Sequence, residues 1–335
     1  MSARTESAEP ERVARLAVTL GDPRGIGPEV AAKTALALRE HPERPQLIFV
    51  GATGTVDVDA ADGFIAIGEW TAADAASAGT LAGRAIATAA REAIEGRVDG
   101  IVTAPIDKTA LHAAGYDYPG HTEMLAALAG DVDVVMMMVA ETTSHGSPLR
   151  MALATTHVAL RDVPHLLTAD RLVHTAATAA GALRADWAIS RPRVALCAFN
   201  PHASDGGLFG DEEERVYAPA LERLREAGVD VHGPVPADTV FTRALRGEFD
   251  VVVCPYHDVG MAAFKTAAFG RGVNVTLGLP FVRTSPDHGT ALDIAGTGKA
   301  DPSSMIEAVQ LAARLAARRG ARGTPPPSQR PRTGG

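Results

Sequence analysis

Short apolar runs alternate with longer alanine-rich stretches along this chain. The runs RLAVTL (15–20), QLIFVGA (46–52), GIVTAP (100–105), VVMMMVA (134–140), RMALATT (150–156), RVALCAF (193–199), DVVVCP (250–255) and NVTLGL (274–279) predict strands. Their apolar residues are consecutive rather than alternating, which is the pattern of strands covered on both faces. The stretches PEVAAKTALALRE (28–40), AADAASAGTLAGRAIATAAREAIEG (72–96), ADRLVHTAATAAGALRAD (169–186), DEEERVYAPALERLREAG (211–228) and PSSMIEAVQLAARLAAR (302–318) predict helices. Strands alternating with helices predict an α/β fold around a largely parallel sheet. No internal repeat breaks the order.

Composition sharpens this picture. The 335 residues suffice for about two domains. Hydrophobic residues make up 46% and aromatics only 4%, so Ala, Val and Leu have to fill the core. A net charge of −8 offers no basic footprint for nucleic acid. The segment MSARTESAEPERVAR is polar, and no uncharged run is long enough to cross a membrane. A cytoplasmic protein with no membrane partner is expected. Residues 1–13 and the Pro-, Gly- and Arg-rich 319–335 are expected to be disordered tails. Cys197 and Cys254 both sit in apolar runs and read as small core residues.

Three histidines share one context. His157 follows RMALATT, His202 follows RVALCAFNP and His257 follows DVVVCPY, each just past the carboxyl end of a predicted strand. Ligands of open α/β sheets bind at that edge, and imidazole is the commonest protein metal ligand. Taken singly, each reads equally well as a loop residue; together they suit a catalytic divalent ion such as zinc. Asp258, beside His257, reads either as an acceptor that orients the imidazole or as a helix cap. His41, His112, His145, His165, His174 and His232 lie in polar or helical contexts and read as surface residues. Lysine is scarce: 28 arginines stand against Lys33, Lys108, Lys265 and Lys299. Lys265 and Lys108 therefore stand out as compact cations or proton carriers. Asn274 and Arg283 flank a strand, and the arginine fork suits a carboxylate or phosphate.

Two glycine-bearing segments remain. TLGDPRGIGPEV places Gly21, Asp22, Gly25 and Gly27 between the first strand and the first helix, with Pro28 in its first turn. It reads either as a backbone-amide anion site or as a plain strand-to-helix turn. PGHTEML (119–125) predicts a helix start capped by His121 or Thr122, with Glu123 in the first turn. That start also suits an anion.

The segments TLGDPRGIGPEV, TAPIDK, AGYDYPGHTEML, LRMALATTHVAL, AFNPHASDGGLFGDEE, PADTVF, PYHDVGMAAFK and FGRGVNVTLGLPFVRTSPDHGTALDIAGTGKAD resemble the 4-hydroxythreonine-4-phosphate dehydrogenase (PdxA) family over roughly residues 15–315. The resemblance implies an isocitrate/isopropylmalate-dehydrogenase-like fold of two α/β domains with a cleft between them. Residues 14–115 plus 270–318 would form the nucleotide-side domain, and 116–269 the metal and dimer side. It implies a homodimer with a shared active site and NAD or NADP as cofactor. It also implies one divalent ion (Zn, Mg, Mn or Co) on His157, His202 and His257. The implied reaction is oxidation and decarboxylation of 4-phosphooxy-L-threonine in pyridoxal phosphate synthesis. His121, Thr122, Lys265, Asn274 and Arg283 match the substrate-binding residues of the family. Lys265, His257 and Asp258 are the catalytic candidates, and Gly21, Asp22, Gly25 and Gly27 the cofactor candidates. The chain departs from the family at Arg24, Asp107 and 141–150. Alternatives are the same chemistry on 4-phospho-D-threonate, 4-phospho-D-erythronate or a dihydrodiol carboxylate. A silent ligand-binding paralogue and a three-histidine metal hydrolase are further readings.

Overall fold

The computed structural model describes residues 13–71 and 74–320. Among these, eleven strands form one sheet: β1 (Arg15–Thr19), β2 (Gln46–Thr53), β3 (Gly63–Glu69), β4 (Gly100–Thr103), β5 (Val135–Ala140), β6 (Leu149–Leu153), β7 (Arg193–Cys197), β8 (Asp230–Val235), β9 (Val251–Cys254), β10 (Val273–Leu277) and β11 (Val282–Pro286). The spatial order is β3-β2-β1-β4-β11-β10-β5-β6-β9-β7-β8. The helices are α1 (Gly27–Leu38), α2 (Ala75–Ile94), α3 (Lys108–Ala113), α4 (His121–Leu128), α5 (Val163–Leu166), α6 (Ala169–Ala185), α7 (Ala218–Glu226), α8 (Ala237–Leu245), α9 (His257–Ala268) and α10 (Ser303–Gly320).

Most neighbouring strands are parallel, but β10 runs antiparallel to both β11 and β5, and β5 antiparallel to β6. The chain direction therefore reverses three times at the centre. β1–β4 and β11 point one way, and β6, β7, β8 and β9 point the other. Strands from residues 14–115 and 270–318 fill one half of the sheet, and those from 116–269 the other.

The two faces differ. On one, a single core runs across both halves, where Val30 of α1, Leu172 of α6, Leu224 of α7 and Leu311 of α10 meet Val18, Val253 and Val275. On the other, two clusters stand apart. Ile86 of α2 and Leu125 of α4 cover the first half with Ala17 and Ile101. Phe241 of α8 and Phe264 of α9 cover the second half with Met138, Met151 and Leu153. Burying a side chain such as Phe264 contributes about 1.5–3 kcal/mol. Between the clusters, the alternating residues Thr103, Asn274, Thr276, Arg283 and Ser285 line up on one face of β4, β10 and β11. The sheet thus leaves a polar cleft over its antiparallel centre. No helix of the described residues is long and apolar enough to cross a membrane.

Several elements differ from the sequence expectation for physical reasons. β3 and β8 are edge strands, with exposed positions and, in β8, a Gly-Pro pair that a central strand would not tolerate. β11 is central and buried yet reads VRTSP, because Arg283 and Ser285 face the cleft while Thr284 donates to the Ala308 carbonyl of α10. Asn274 and Arg283 consequently lie inside strands rather than flanking one. α9 was hidden by Gly260, a poor helix former; a Cβ there would collide with Met151 and Cys254, so the glycine lets α9 pack close on β6 and β9. The expected helix 211–228 starts as a π-turn at Glu213–Tyr217 before α7, whose first turn carries Pro219. α4 begins at His121 itself with Gly120 at the cap position, so neither His121 nor Thr122 caps it by a side-chain bond. The expected tails fall outside the described residues except for Val13, Arg319 and Gly320. α10 continues through Arg319, which donates two 2.7 Å bonds to Asp186. Cys197 and Cys254 are free and buried, as expected.

Candidate active site

The polar cleft holds a cavity of about 200 Å³. Arg283 forms its floor, only 3% exposed. Its two terminal nitrogens donate to the hydroxyls of Thr276 (2.9 Å) and Thr103 (2.7 Å), while Nε has no partner. Among the described residues no carboxylate forms an ion pair with it. Burial lowers its pKa to about 10, although Glu123 pulls the other way. Three further buried atoms around the same cavity also lack partners: His121 Nε2, Asn274 Oδ1 and His288 Nε2. Buried polar groups are nearly always satisfied, and a buried unpaired charge is costly. Four unmet groups around one small cavity, the Arg283 N–H a donor and the Asn274 oxygen an acceptor, mark a site completed by a polar ligand, and the buried guanidinium calls for an anionic group on it.

His121 holds the first position of α4, directly after Gly120 at the cap position. Burial, then the nearby Arg283 and Lys108, hold His121 well below its ordinary value, against a backbone bond at Ala104, so the ring is neutral. Thr122 follows it into the lining.

Past β6, His157 extends from the cavity into a second space of about 130 Å³ that it shares with His257, Tyr256 and Asp258. The His157 and His257 ring centres are 5.6 Å apart. His157 is lowered by burial, then by Lys108 and His257, with Glu123 opposing. His257 starts α9, and its Nδ1 lies 2.7 Å from Asp258 Oδ1. A carboxylate only accepts, so Nδ1 carries the proton and the Nε2 lone pair is free. Two imidazoles with available lone pairs are suitable donors for a divalent cation.

His202 stands elsewhere. It sits in the turn after β7, with its ring against the edge of Phe209 at 6.3 Å. β6, β9 and β7 are mutually parallel neighbours, so all three histidines do follow one sheet edge. Even so, no group of three His, Cys, Asp or Glu side chains is placed to hold a metal among the described residues. Lys265, on α9, pairs with Asp287 at 3.5 Å and does not line the cavity.

The glycine segment is occupied by its own packing. Gly21 has φ +71°, and a Cβ would run into the Pro105 carbonyl; at Gly27 it would strike the Leu20 carbonyl. Asp22 is buried and accepts from Arg24 through the backbone (2.9 Å) and the guanidinium (2.6 Å). Arg24 reaches on to Asp107 at 2.9 Å, so these two family departures are partners. Arg24 and Gly25 border a separate surface hollow of about 540 Å³ with Asp57 and Gly296.

Glu123, Ser285 and His288, to which the sequence assigns no site role, line the cavity together with Lys108, which it does single out. The scarcity of lysine was the available signal for Lys108. His288 follows β11 as the other three follow their strands, but β11 is too polar to be recognised.

The fold and the cleft define an α/β protein with a small polar cavity, floored by a buried arginine, between two half-sheets. The family model for "Pyridoxal phosphate biosynthetic protein PdxA" matches residues 17–312. The chain belongs to this family, and is an oxidoreductase of the dehydrogenase class, with which a nicotinamide cofactor goes. It is 42% identical to a 4-hydroxythreonine-4-phosphate dehydrogenase of Geobacter metallireducens, over 95% of this chain and 100% of that protein. A D-threonate 4-phosphate dehydrogenase of Pectobacterium atrosepticum is 40% identical, over 90% of this chain and 99% of the relative. The crystal structure of a 4-hydroxythreonine-4-phosphate dehydrogenase from Klebsiella pneumoniae superposes with a TM-score of 0.80 at 39% identity, covering 91% of this chain and 100% of that one. A β-decarboxylating dehydrogenase from Thermococcus kodakarensis shares the fold, with a TM-score of 0.52 at 18% identity over 96% of this chain and 93% of its own.

Proposed function

We propose that the chain oxidises 4-phosphooxy-L-threonine with NAD or NADP and releases CO₂ to give 3-amino-2-oxopropyl phosphate, as a step toward pyridoxal phosphate. The observation that carries this reading is the buried, unpaired Arg283 with three other unsatisfied groups around one cavity. A phosphorylated hydroxy acid brings two anionic ends to such a site. Arg283 would hold one anionic end through its unpaired Nε, and the Thr122 hydroxyl would donate to the other, while Asn274 Oδ1 and His121 Nε2 would accept from the substrate's own donors. Binding in the cleft would exclude water and fix the hydroxyl-bearing carbon; a bound nicotinamide would supply the hydride acceptor.

His157 and His257 of one chain, with His202 of a second, would hold the divalent ion. When bound, that ion supplies Lewis acidity to the substrate hydroxyl and to the ketone that follows. Asp258 keeps the His257 tautomer that leaves Nε2 available. We place His202 and Lys265 in the partner's site of a homodimer, since neither lines the cavity of its own chain. Lys265 then serves as the proton carrier or as a fixed cation for the substrate. Residues 14–115 with 270–318, and residues 116–269, act as the two domains that border the cleft. Gly21, Asp22, Gly25 and Gly27 act in cofactor binding by shaping the turn rather than by free amide donors. A second reading, the same chemistry on D-threonate 4-phosphate, is supported by the name of the Pectobacterium atrosepticum relative.

The test is nicotinamide reduction, followed by absorbance, over a panel of phosphorylated hydroxy acids with zinc, magnesium, manganese or cobalt. Turnover of 4-phosphooxy-L-threonine with CO₂ release supports the reading. Turnover of no member with either nucleotide overturns it.

A further inference from the structure

We propose that Glu123 selects a substrate with an ammonium group, a phosphorylated 2-amino-3-hydroxy acid, over the corresponding 2,3-dihydroxy acid. The inference rests on the proposed function and sharpens its substrate.

Glu123 is the one acid among the described residues that line the cavity; the other formal charges there are Lys108 and Arg283. It occupies the third position of α4, directly after His121 and Thr122, so the helix start that brings two polar side chains to the ligand brings the carboxylate too. Among the described residues Glu123 makes no side-chain hydrogen bond or ion pair, and it is exposed to solvent while lining the cavity. Its carboxylate acts on groups across the cavity instead. It is the acid that holds Arg283 and His157 more basic than burial alone would leave them.

A carboxylate facing an anion site is a liability unless the ligand also carries a positive charge. A phosphate and a carboxylate satisfy Arg283 and Lys108. An ammonium on C2 gives Glu123 its partner. The dihydroxy analogue has the same two anionic ends and a neutral hydroxyl, so it meets Glu123 as uncompensated like charge. Discrimination then comes from one attractive and one repulsive term acting on the same residue. A helix-start acid that merely favours the macrodipole would affect both substrates alike.

The experiment compares kcat/KM for 4-phosphooxy-L-threonine and for D-threonate 4-phosphate in the full-length enzyme and in Glu123→Gln and Glu123→Asp. Thermal midpoints are measured alongside. Glu123→Gln keeps shape and helix preference, so folding is retained. The expected result is a roughly tenfold loss for the amino substrate, mostly in KM, with the dihydroxy substrate unchanged or improved. Glu123→Asp recovers part of the loss. Equal losses on both substrates, or none on the amino substrate, overturn the proposal. A wild type that prefers the dihydroxy acid also overturns it, yet leaves the dehydrogenase reading standing. A wild type that oxidises neither defeats that reading itself.

Discussion

Replacing Glu213 with Gln should release the turn that carries His202. Residues His202, Ala203, Ser204 and Asp205 all have positive φ, between 46° and 68°, and Gly206 and Gly207 continue the left-handed path. Each non-glycine residue in that region costs about 1–2 kcal/mol, so the turn stores roughly 4 kcal/mol or more. One buried carboxylate holds it. Glu213 Oε1 accepts from the backbone N–H of Phe199 (2.9 Å) and of Asn200 (2.7 Å). Oε2 accepts from Asn200 Nδ2 (2.8 Å) and from the Ser204 hydroxyl. An amide at this position turns one oxygen into a donor facing donors and breaks at least two bonds. Bonds to a charged acceptor contribute about 1.5–3 kcal/mol each, so for two bonds roughly 3–6 kcal/mol is lost, enough to tip the turn. The core strands β9 and β10 lie outside the network and should be unaffected. Hydrogen exchange read by mass spectrometry should show protection in 199–210 falling by about 10²–10³-fold, with peptides from β9 and β10 unchanged. Unchanged protection in 199–210 would refute the reasoning. The same clamp has an acid limit. Burial raises the Glu213 carboxyl, but the bonds from Asn200 and Ser204 outweigh it and hold it below 4.5. With a depressed folded value, the stabilisation is present above about pH 4.5 and lost as pH falls through the lower value.

Three other outcomes are expected. His121 and His157 are held below the ordinary histidine value of 6.5, so the unfolded chain takes up protons first and stability declines as pH falls below about 6.5; His121→Asn should flatten that decline in urea titrations at stepped pH. Gly79→Ala should destabilise strongly, by about 3 kcal/mol or more, because a Cβ would strike the Ala110 carbonyl where α2 meets α3; a wild-type midpoint would contradict that packing. His202→Ala should abolish metal-dependent turnover and leave the thermal midpoint near wild type; full activity after both mutation and chelation would remove the metal assignment.

The apolar strands announced themselves because consecutive Val, Leu and Ile admit few other structures, and the alanine-rich helices did so by length. β11 stayed hidden because its residues answer to the cleft: Arg283 in a central strand makes sense only once Thr103, Thr276 and the cavity surround it. His157, His202 and His257 were legible as strand-end residues, yet sequence spacing carries no distances. It could not say that two of the rings meet while the third lies on a left-handed turn. The partnership of Arg24 with Asp22 and Asp107 spans 83 residues between Arg24 and Asp107, beyond any local pattern. Glu123 read as a helix-start acid, since only the folded cavity shows which cations it faces.

Arg283→Met tests the central claim most directly. Removing a buried guanidinium that forms no ion pair among the described residues, with only the charge of Glu123 acting on it from across the cavity, relieves desolvation, so the variant should be as stable as wild type or more so, by about 1–3 kcal/mol. Titration calorimetry with 4-phosphooxy-L-threonine should then show binding to the wild type and at least a hundredfold weaker binding to the variant. A stable variant that still binds the phosphorylated substrate with wild-type affinity would contradict the account.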